Sequence, residues 1–196
     1  MAKRIFDIIF SLLGLIVLSP FFVILAFAII LDSPGGVFYR QIRIGKNGKP
    51  FRIYKFRSMR SGSDKKGKLT VGSTDCRITK TGSFIRKYKF DEFAQLINVL
   101  KGDMSLVGPR PEVPEYVSKY TDEQKIVLSV RPGITDYASI EYSGENDMLA
   151  ASSNPEKTYI DEIMPAKLEL NKKYIREASL RVDLMLIFRT LKKVFS

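Results

Sequence analysis

Between Ile8 and Leu31 the chain has 24 consecutive positions without a charged side chain, and no other stretch constrains its folding so strongly. As a helix, a run of this length can cross the ~30 Å hydrocarbon core of a bilayer. It exceeds the apolar centre of a secretory signal and no small-x-small cleavage pattern follows it, so the segment is expected to remain in the protein. Ser19-Pro20 lies near its middle. Proline has no amide hydrogen and its ring crowds the carbonyl four residues earlier, so a kink or break is expected there, with the Ser19 hydroxyl available to a freed carbonyl. Two arrangements satisfy these features. Lys3 and Arg4 before the run and a dense basic region after it favour both ends on the cytoplasmic face, which a helix that enters, bends at Ser19-Pro20 and returns would meet. The other is a kinked helix that spans the membrane.

The net charge of +11 is placed unevenly. Residues 40–60 carry eight basic side chains and no acidic one, whereas residues 91–196 carry more acidic than basic ones. A positive stripe directly after an apolar segment suits an anionic leaflet, a nucleotide diphosphate or a nucleic acid. The chain has no histidine, which excludes Ser-His-Asp and Cys-His catalysis and histidine-ligated metals. Cys76 is the one cysteine, so neither an intramolecular disulfide nor a cysteine metal cluster can form. Chemistry is left to carboxylates, hydroxyls, lysine and arginine.

Beyond the apolar run, the β-branched and aromatic segments 37–44 and 51–59 flank Asn47-Gly48 and predict a β-hairpin, because Asn-Gly supplies the positive φ angles of a tight turn. Residues 60–80 read as a polar surface loop. Within it, 62–69 approaches a P-loop pattern, but Leu69 stands where a metal-binding hydroxyl is required, which rejects that reading. Phe90, Phe93, Ala94, Ile97 and Leu100 recur at helical spacing before Gly102, so 91–101 predicts an amphipathic helix that begins at Asp91. Thr121 and Gln124 form a capping-box pattern, and Arg131-Pro132-Gly133 ends the short helix it opens. A final apolar stripe through Leu180, Leu184, Ile187, Phe188 and Leu191 is expected to pack on the core, with the membrane interface as its other use.

Asp91-Glu92 is the pair to single out. Alone, acidic residues at a helix start have a sufficient explanation in capping and the helix dipole. Arg86 stands five residues earlier, and Arg110 is held between Pro109 and Pro111, whose limited backbone freedom can present its guanidinium in one direction. Taken together, Tyr54-Lys-Phe-Arg-Ser-Met59, Asp91-Glu92 with Gln95, Asn98 and Asp103, Gly108-Pro-Arg-Pro111 and Arg131-Pro-Gly-Ile-Thr135 resemble the bacterial sugar transferase family, in family order and over nearly the whole chain.

The resemblance implies an α+β, mainly α fold with a re-entrant membrane helix, interfacial amphipathic helices and a small β-hairpin. Residues 1–36 would form the membrane-embedded helix and 37–196 the cytoplasmic catalytic domain, joined as one unit at the bacterial inner membrane. It also implies a two-step phosphoglycosyl transfer. Asp91 would attack the sugar-linked phosphorus of a UDP-sugar and release UMP, and polyprenyl phosphate would then take the phosphosugar. Glu92 would assist proton transfer or place the acceptor. Mg²⁺ would be held by Asp91 and substrate oxygens. Lys55, Arg57, Arg86, Arg110 and Arg131 are the candidate substrate contacts, of which about two are expected to serve structure instead. No nucleic acid partner is expected. The sequence departs from the family pattern at Ala94, where many members have proline, and after Thr135. The competing reading is a non-enzymatic basic anchor that binds nucleic acid or anionic lipid, which leaves the Asp-Glu, Pro-Arg-Pro and Arg-Pro-Gly motifs without a purpose.

Overall fold

The computed structural model describes residues 2–62 and 76–195; the rejected P-loop pattern falls almost wholly outside them. Helix α1 (Ala2–Asp32) opens the chain and is long and apolar enough to cross a membrane. Strands β1 (Phe38–Ile44) and β2 (Pro50–Phe56) form the expected antiparallel hairpin, with Phe38 opposite Phe56 and Ile44 opposite Pro50. Its five-residue connection carries positive φ at Asn47 (57°) and Gly48 (73°), the angles that Asn-Gly was expected to supply. After helix α2 (Lys80–Lys87) come a 3₁₀ turn, Phe90–Gln95, and helix α3 (Leu96–Lys101), which ends at Gly102 with φ 89°. Strand β3 (Ser105–Val107) precedes the short helix α4 (Pro114–Val117). Thr121 and Gln124 exchange the two hydrogen bonds of a capping box at the next 3₁₀ turn. Strand β4 (Gly133–Thr135) then pairs in parallel with β3. Helices α5 (Tyr137–Glu141), α6 (Glu145–Ala150), α7 (Pro155–Thr158), α8 (Met164–Glu177) and α9 (Leu180–Phe195) complete the fold.

Of the kink or break expected at Ser19-Pro20, the break does not occur: α1 continues as helix through Pro20. Pro20 removes the amide that would bond the Ile16 carbonyl, and the Ser19 hydroxyl donates to that carbonyl at 2.8 Å instead. The orphaned acceptor is thereby satisfied without solvent.

Both ends of α1 are bonded to the rest of the protein. Near its start, Arg4 donates to the Val99 and Leu100 carbonyls at the end of α3, at 2.6 and 3.0 Å. One turn on, the buried Asp7 carboxylate accepts from the Ser105 hydroxyl and the Leu106 amide, each at 3.1 Å. At the other end Asp32 accepts from the Thr81 amide at 2.6 Å. The Arg57 guanidinium donates there to the carbonyls of Ser33 (2.7 Å) and Pro34 (2.6 Å), just past the helix end, and to that of Ile29 (3.2 Å), which also accepts from Ser33 N at 3.3 Å. Gly35 lets the chain pass over this side chain: it adopts φ 129°, and a Cβ there would stand 2.1 Å from Arg57 Nη1.

Between these clamps, Leu25 and Ile29 of α1 join Phe56, Ile85 and Ala94 in one buried cluster. The membrane-type helix therefore packs directly under the turn that carries Asp91. Its opposite face is bare: Val17, Ile24, Phe27 and Leu31 are 65–86% exposed. Helix α9 corrects most of the expectation that its stripe packs on the core, where of that stripe only Ile187, among the described residues, packs against the buried cluster. Leu180, Leu184, Phe188 and Leu191 point outward, because Val182 and Leu186 on another face of the same helix fill the core.

Candidate active site

Asp91 and Glu92 lie in a 3₁₀ turn, not in the first turn of an α-helix as the apolar spacing suggests. Lys89, with φ 54°, occupies the capping position that an acidic start would have filled. At about three residues per turn, consecutive side chains diverge by roughly 120°, so the neighbouring carboxylates face different surroundings.

Glu92 is gripped. Arg110 donates to both of its oxygens, Nη1 to Oε2 at 3.1 Å and Nη2 to Oε1, and Lys55 Nζ adds a bond to Oε1 at 3.2 Å. Among the described residues Asp91 has one cationic neighbour within bridging distance, Lys55 at 3.5 Å. The electrostatics follow this asymmetry. Burial pushes the Asp91 carboxyl above the ordinary aspartate value; Lys55 opposes the shift and the adjacent Glu92 charge adds to it. Burial acts on Glu92 in the same sense, but the Arg110 and Lys55 charges outweigh it and hold that carboxyl well below the usual range. Glu92 is thus a fixed anion, and Asp91 is a desolvated carboxylate whose burial outweighs the nearby Lys55, Arg86 and Arg110 charges.

Several elements converge to make this arrangement. Lys55 comes from β2, which α3 holds through Asn98: the amide oxygen accepts from Tyr54 N at 2.8 Å and its nitrogen donates to the Arg52 carbonyl at 2.9 Å. A helix side chain here takes the place of a neighbouring strand. Arg110 follows β3 in the Pro-Arg-Pro loop, and its own amide donates to the fully buried Asp136 at 3.1 Å. That carboxylate also caps α5 through Ser139 N at 2.6 Å. The loop is further pinned because Gly108 and Gly133 touch backbone to backbone; a Cβ on Gly133 would lie 2.1 Å from Gly108 N.

Two clefts meet at Asp91. One, of about 360 Å³, runs past Glu92 and Arg110 toward Glu112, Ser139 and Glu145. The second, of about 400 Å³, runs toward Gly36 and Arg60 beside the end of α1. Gln41, Arg43, Lys55, Arg86 and Asp91 line both. Of the five expected substrate contacts, Lys55, Arg86 and Arg110 are therefore brought together around the carboxylates. Arg57 borders the second cleft, but its two terminal nitrogens are engaged by α1 carbonyls and Ser61. Arg131 lines neither cleft and donates to the Gly102 carbonyl at 2.9 Å. Sequence reasoning missed Gln41, Arg43, Glu112 and Asp136 as site or supporting residues. Asp136 alone had a local signal, as an Asp three residues ahead of Ser139 at a helix start.

A family model described as bacterial sugar transferase matches residues 1–196. The UDP-glucose:undecaprenyl-phosphate glucose-1-phosphate transferase of Escherichia coli (strain K12) is 38% identical over 98% of this chain and 40% of its own length. The UDP-N-acetylgalactosamine-undecaprenyl-phosphate N-acetylgalactosaminephosphotransferase of Aeromonas hydrophila is 36% identical over 99% of this chain and 44% of its own. The uncharacterized sugar transferase EpsL of Bacillus subtilis (strain 168) is 39% identical over 98% of this chain and 86% of its own. The chain thus spans about two fifths of the first two relatives and most of the third. With a gripped glutamate, an exposed-face apolar helix built into the core and a family match from end to end, this chain belongs to the bacterial sugar transferases.

Proposed function

We propose that this protein moves a phosphosugar from a UDP-sugar to a polyprenyl phosphate such as undecaprenyl phosphate, by way of a covalent intermediate on Asp91. The observation that carries the reading is the asymmetry of the two carboxylates: Arg110 and Lys55 hold Glu92, while Asp91 faces the junction of both clefts. A desolvated carboxylate is a competent nucleophile. An Asp91 oxygen forms a bond to the sugar-linked phosphorus as the bond to the bridging oxygen breaks, and that electron pair leaves with UMP. An oxygen of the acceptor phosphate then bonds to the same phosphorus, and the carboxylate departs intact. Arg86 and Lys55 lie where they can offset phosphate charge in both steps, and Arg110 keeps Glu92 ionised beside Asp91. A basic membrane anchor would need neither the bidentate grip nor the carboxylate left outside it.

Mg²⁺ fits this donor set. Among the described residues no group of three or more acidic, cysteine or histidine side chains gathers to cage a metal. An ion that takes one carboxylate and completes its shell with substrate oxygens requires only Asp91. When bound, it would neutralise pyrophosphate charge.

The same reading places both ends of α1 on the cytoplasmic face, with the helix embedded in one side of the inner membrane and its bare face toward lipid. Support comes from the clamps: Arg4 and Asp7 at one end and Asp32 at the other bond to a single catalytic body. A straight crossing would carry one of these ends ~45 Å from the other along the membrane normal. Lipid would also accept the outward apolar stripe of α9.

The test is a half-reaction. With no acceptor present, a UDP-sugar labelled in the β-phosphate and the sugar should leave a hydroxylamine-sensitive adduct on the peptide containing Asp91 and release UMP. Asp91→Asn should form none. Turnover that requires a ternary complex and leaves no adduct would overturn the mechanism.

A further inference from the structure

The clefts that meet at Asp91 differ in charge. Beyond the residues they share, the second adds Arg40, Arg57, Arg60 and Arg77 and, among the described residues, no carboxylate. Beyond the shared residues and the Glu92–Arg110 pair, the charged lining of the first is balanced: Lys89 and Lys167 against Glu112 and Glu145. The rest of its far end is mainly hydroxyls and amides. Glu145 accepts from Lys167 at 2.7 Å, and Glu112 accepts from the Tyr159 hydroxyl at 2.9 Å. Each carboxylate retains lone pairs for another donor. Ser139 Oγ is buried against this cleft and has no hydrogen-bond partner.

These surroundings suit different parts of one substrate. A wall that presents Arg40 and Arg60 beside the shared Arg43, Lys55 and Arg86 attracts phosphate. A charge-balanced wall of carboxylates and hydroxyls suits a neutral ring of hydroxyl groups. In-line displacement supplies the geometry that joins them. Asp91 must attack opposite the departing UMP oxygen, and the acceptor oxygen must later attack opposite Asp91. UMP and the acceptor phosphate therefore occupy the same side of the phosphorus in turn, while the sugar projects sideways from that line.

We infer that the first cleft is the sugar subsite, with Ser139, Glu145 and Glu112 as specificity-determining contacts to ring hydroxyls, and that the second cleft receives the phosphate of UMP and then of the lipid acceptor. The inference rests on the covalent reading for its stereochemical step, and it places two of the three sugar contacts, Ser139 and Glu145, in the stretch after Thr135 where the family pattern lapses.

Equilibrium binding separates the two ideas. In the full chain carrying Asp91→Asn, which stops chemistry, equilibrium dialysis would measure UMP against whichever of UDP-glucose, UDP-galactose and UDP-N-acetylgalactosamine binds most tightly. Ser139→Ala removes no hydrogen bond from the unliganded protein, so folding should be unaffected. It should weaken the UDP-sugar by about 2- to 10-fold, the worth of one neutral hydrogen bond, and leave UMP within about twofold. Glu145→Gln should cost the UDP-sugar about tenfold or more, because a charged acceptor is lost. Arg60→Ala should weaken UMP and the UDP-sugar alike. Equal losses for UMP and UDP-sugar in the Ser139 and Glu145 variants would assign the first cleft to the nucleoside and overturn the inference, as would no loss for either ligand. Failure of the adduct test with wild-type protein would remove the covalent step and leave these binding results standing.

Discussion

Arg57 distinguishes a structural from a catalytic arginine, and Arg57→Lys tests the distinction. The side chain is 6% exposed and makes four hydrogen bonds, three to carbonyls at the end of α1 and one to Ser61 Oγ at 3.1 Å. Lysine preserves the charge but offers a single nitrogen, too compact to reach oxygens on both sides of the guanidinium fork. At ~1.5–3 kcal/mol for each bond from a charged donor, loss of two bonds followed by partial relaxation should cost about 2–4 kcal/mol. For a chain of this size that corresponds to a fall of roughly 4–16 °C in the thermal midpoint. The assay is a melt of the purified protein in detergent micelles, paired with the acceptor-free adduct reaction below the transition. Adduct formed per folded molecule should be nearly unchanged. If the midpoint stays within about 2 °C of wild type while adduct formation collapses, Arg57 acts on substrate and the capping argument is refuted.

Glu92→Gln should destabilise the protein at pH 7. The folded Glu92 carboxyl titrates well below its unfolded value near 4.5, so its stabilisation is complete above that pH and lost as pH falls through the acid range. Melts at pH 7, 5.5, 4 and 3 should show the gap between variant and wild type closing below about 4.5; a gap independent of pH would count against the Arg110 and Lys55 grip. Gly133→Ala should abolish folded protein or displace the Pro-Arg-Pro loop, since its Cβ would meet the Gly108 backbone at 2.1 Å, whereas Gly36→Ala meets nothing within 4 Å and should melt like wild type. For membrane placement, a cysteine at Ala2 in a Cys76→Ser background should react only with reagents that reach the cytoplasm; periplasmic labelling would falsify the one-sided arrangement of α1.

Features whose cause is local could be read from the sequence. The apolar run, the Asn47-Gly48 hairpin, the Gly102 stop and the Thr121–Gln124 capping box each depend on a few adjacent residues, and each has its expected counterpart in the fold. The Asp91-Glu92 pair could be singled out from its neighbours and from the family motifs. Which charge serves which purpose is another matter, because an arginine is committed by whatever acceptor folding brings to it. Arg57 meets carbonyls left over at the end of α1, Arg131 meets the Gly102 carbonyl, and Arg110 meets Glu92, although all three stand in family motifs. The outward turn of Leu180, Leu184, Phe188 and Leu191 was likewise decided by packing, since Val182, Leu186 and Ile187 are the α9 residues that meet the core. The family resemblance implies that α1 and the catalytic domain form one unit, but the contacts that tie them together appear only in the tertiary structure. Arg4 and Asp7 find their partners more than ninety residues away, and no local pattern in the chain records a contact made at that separation.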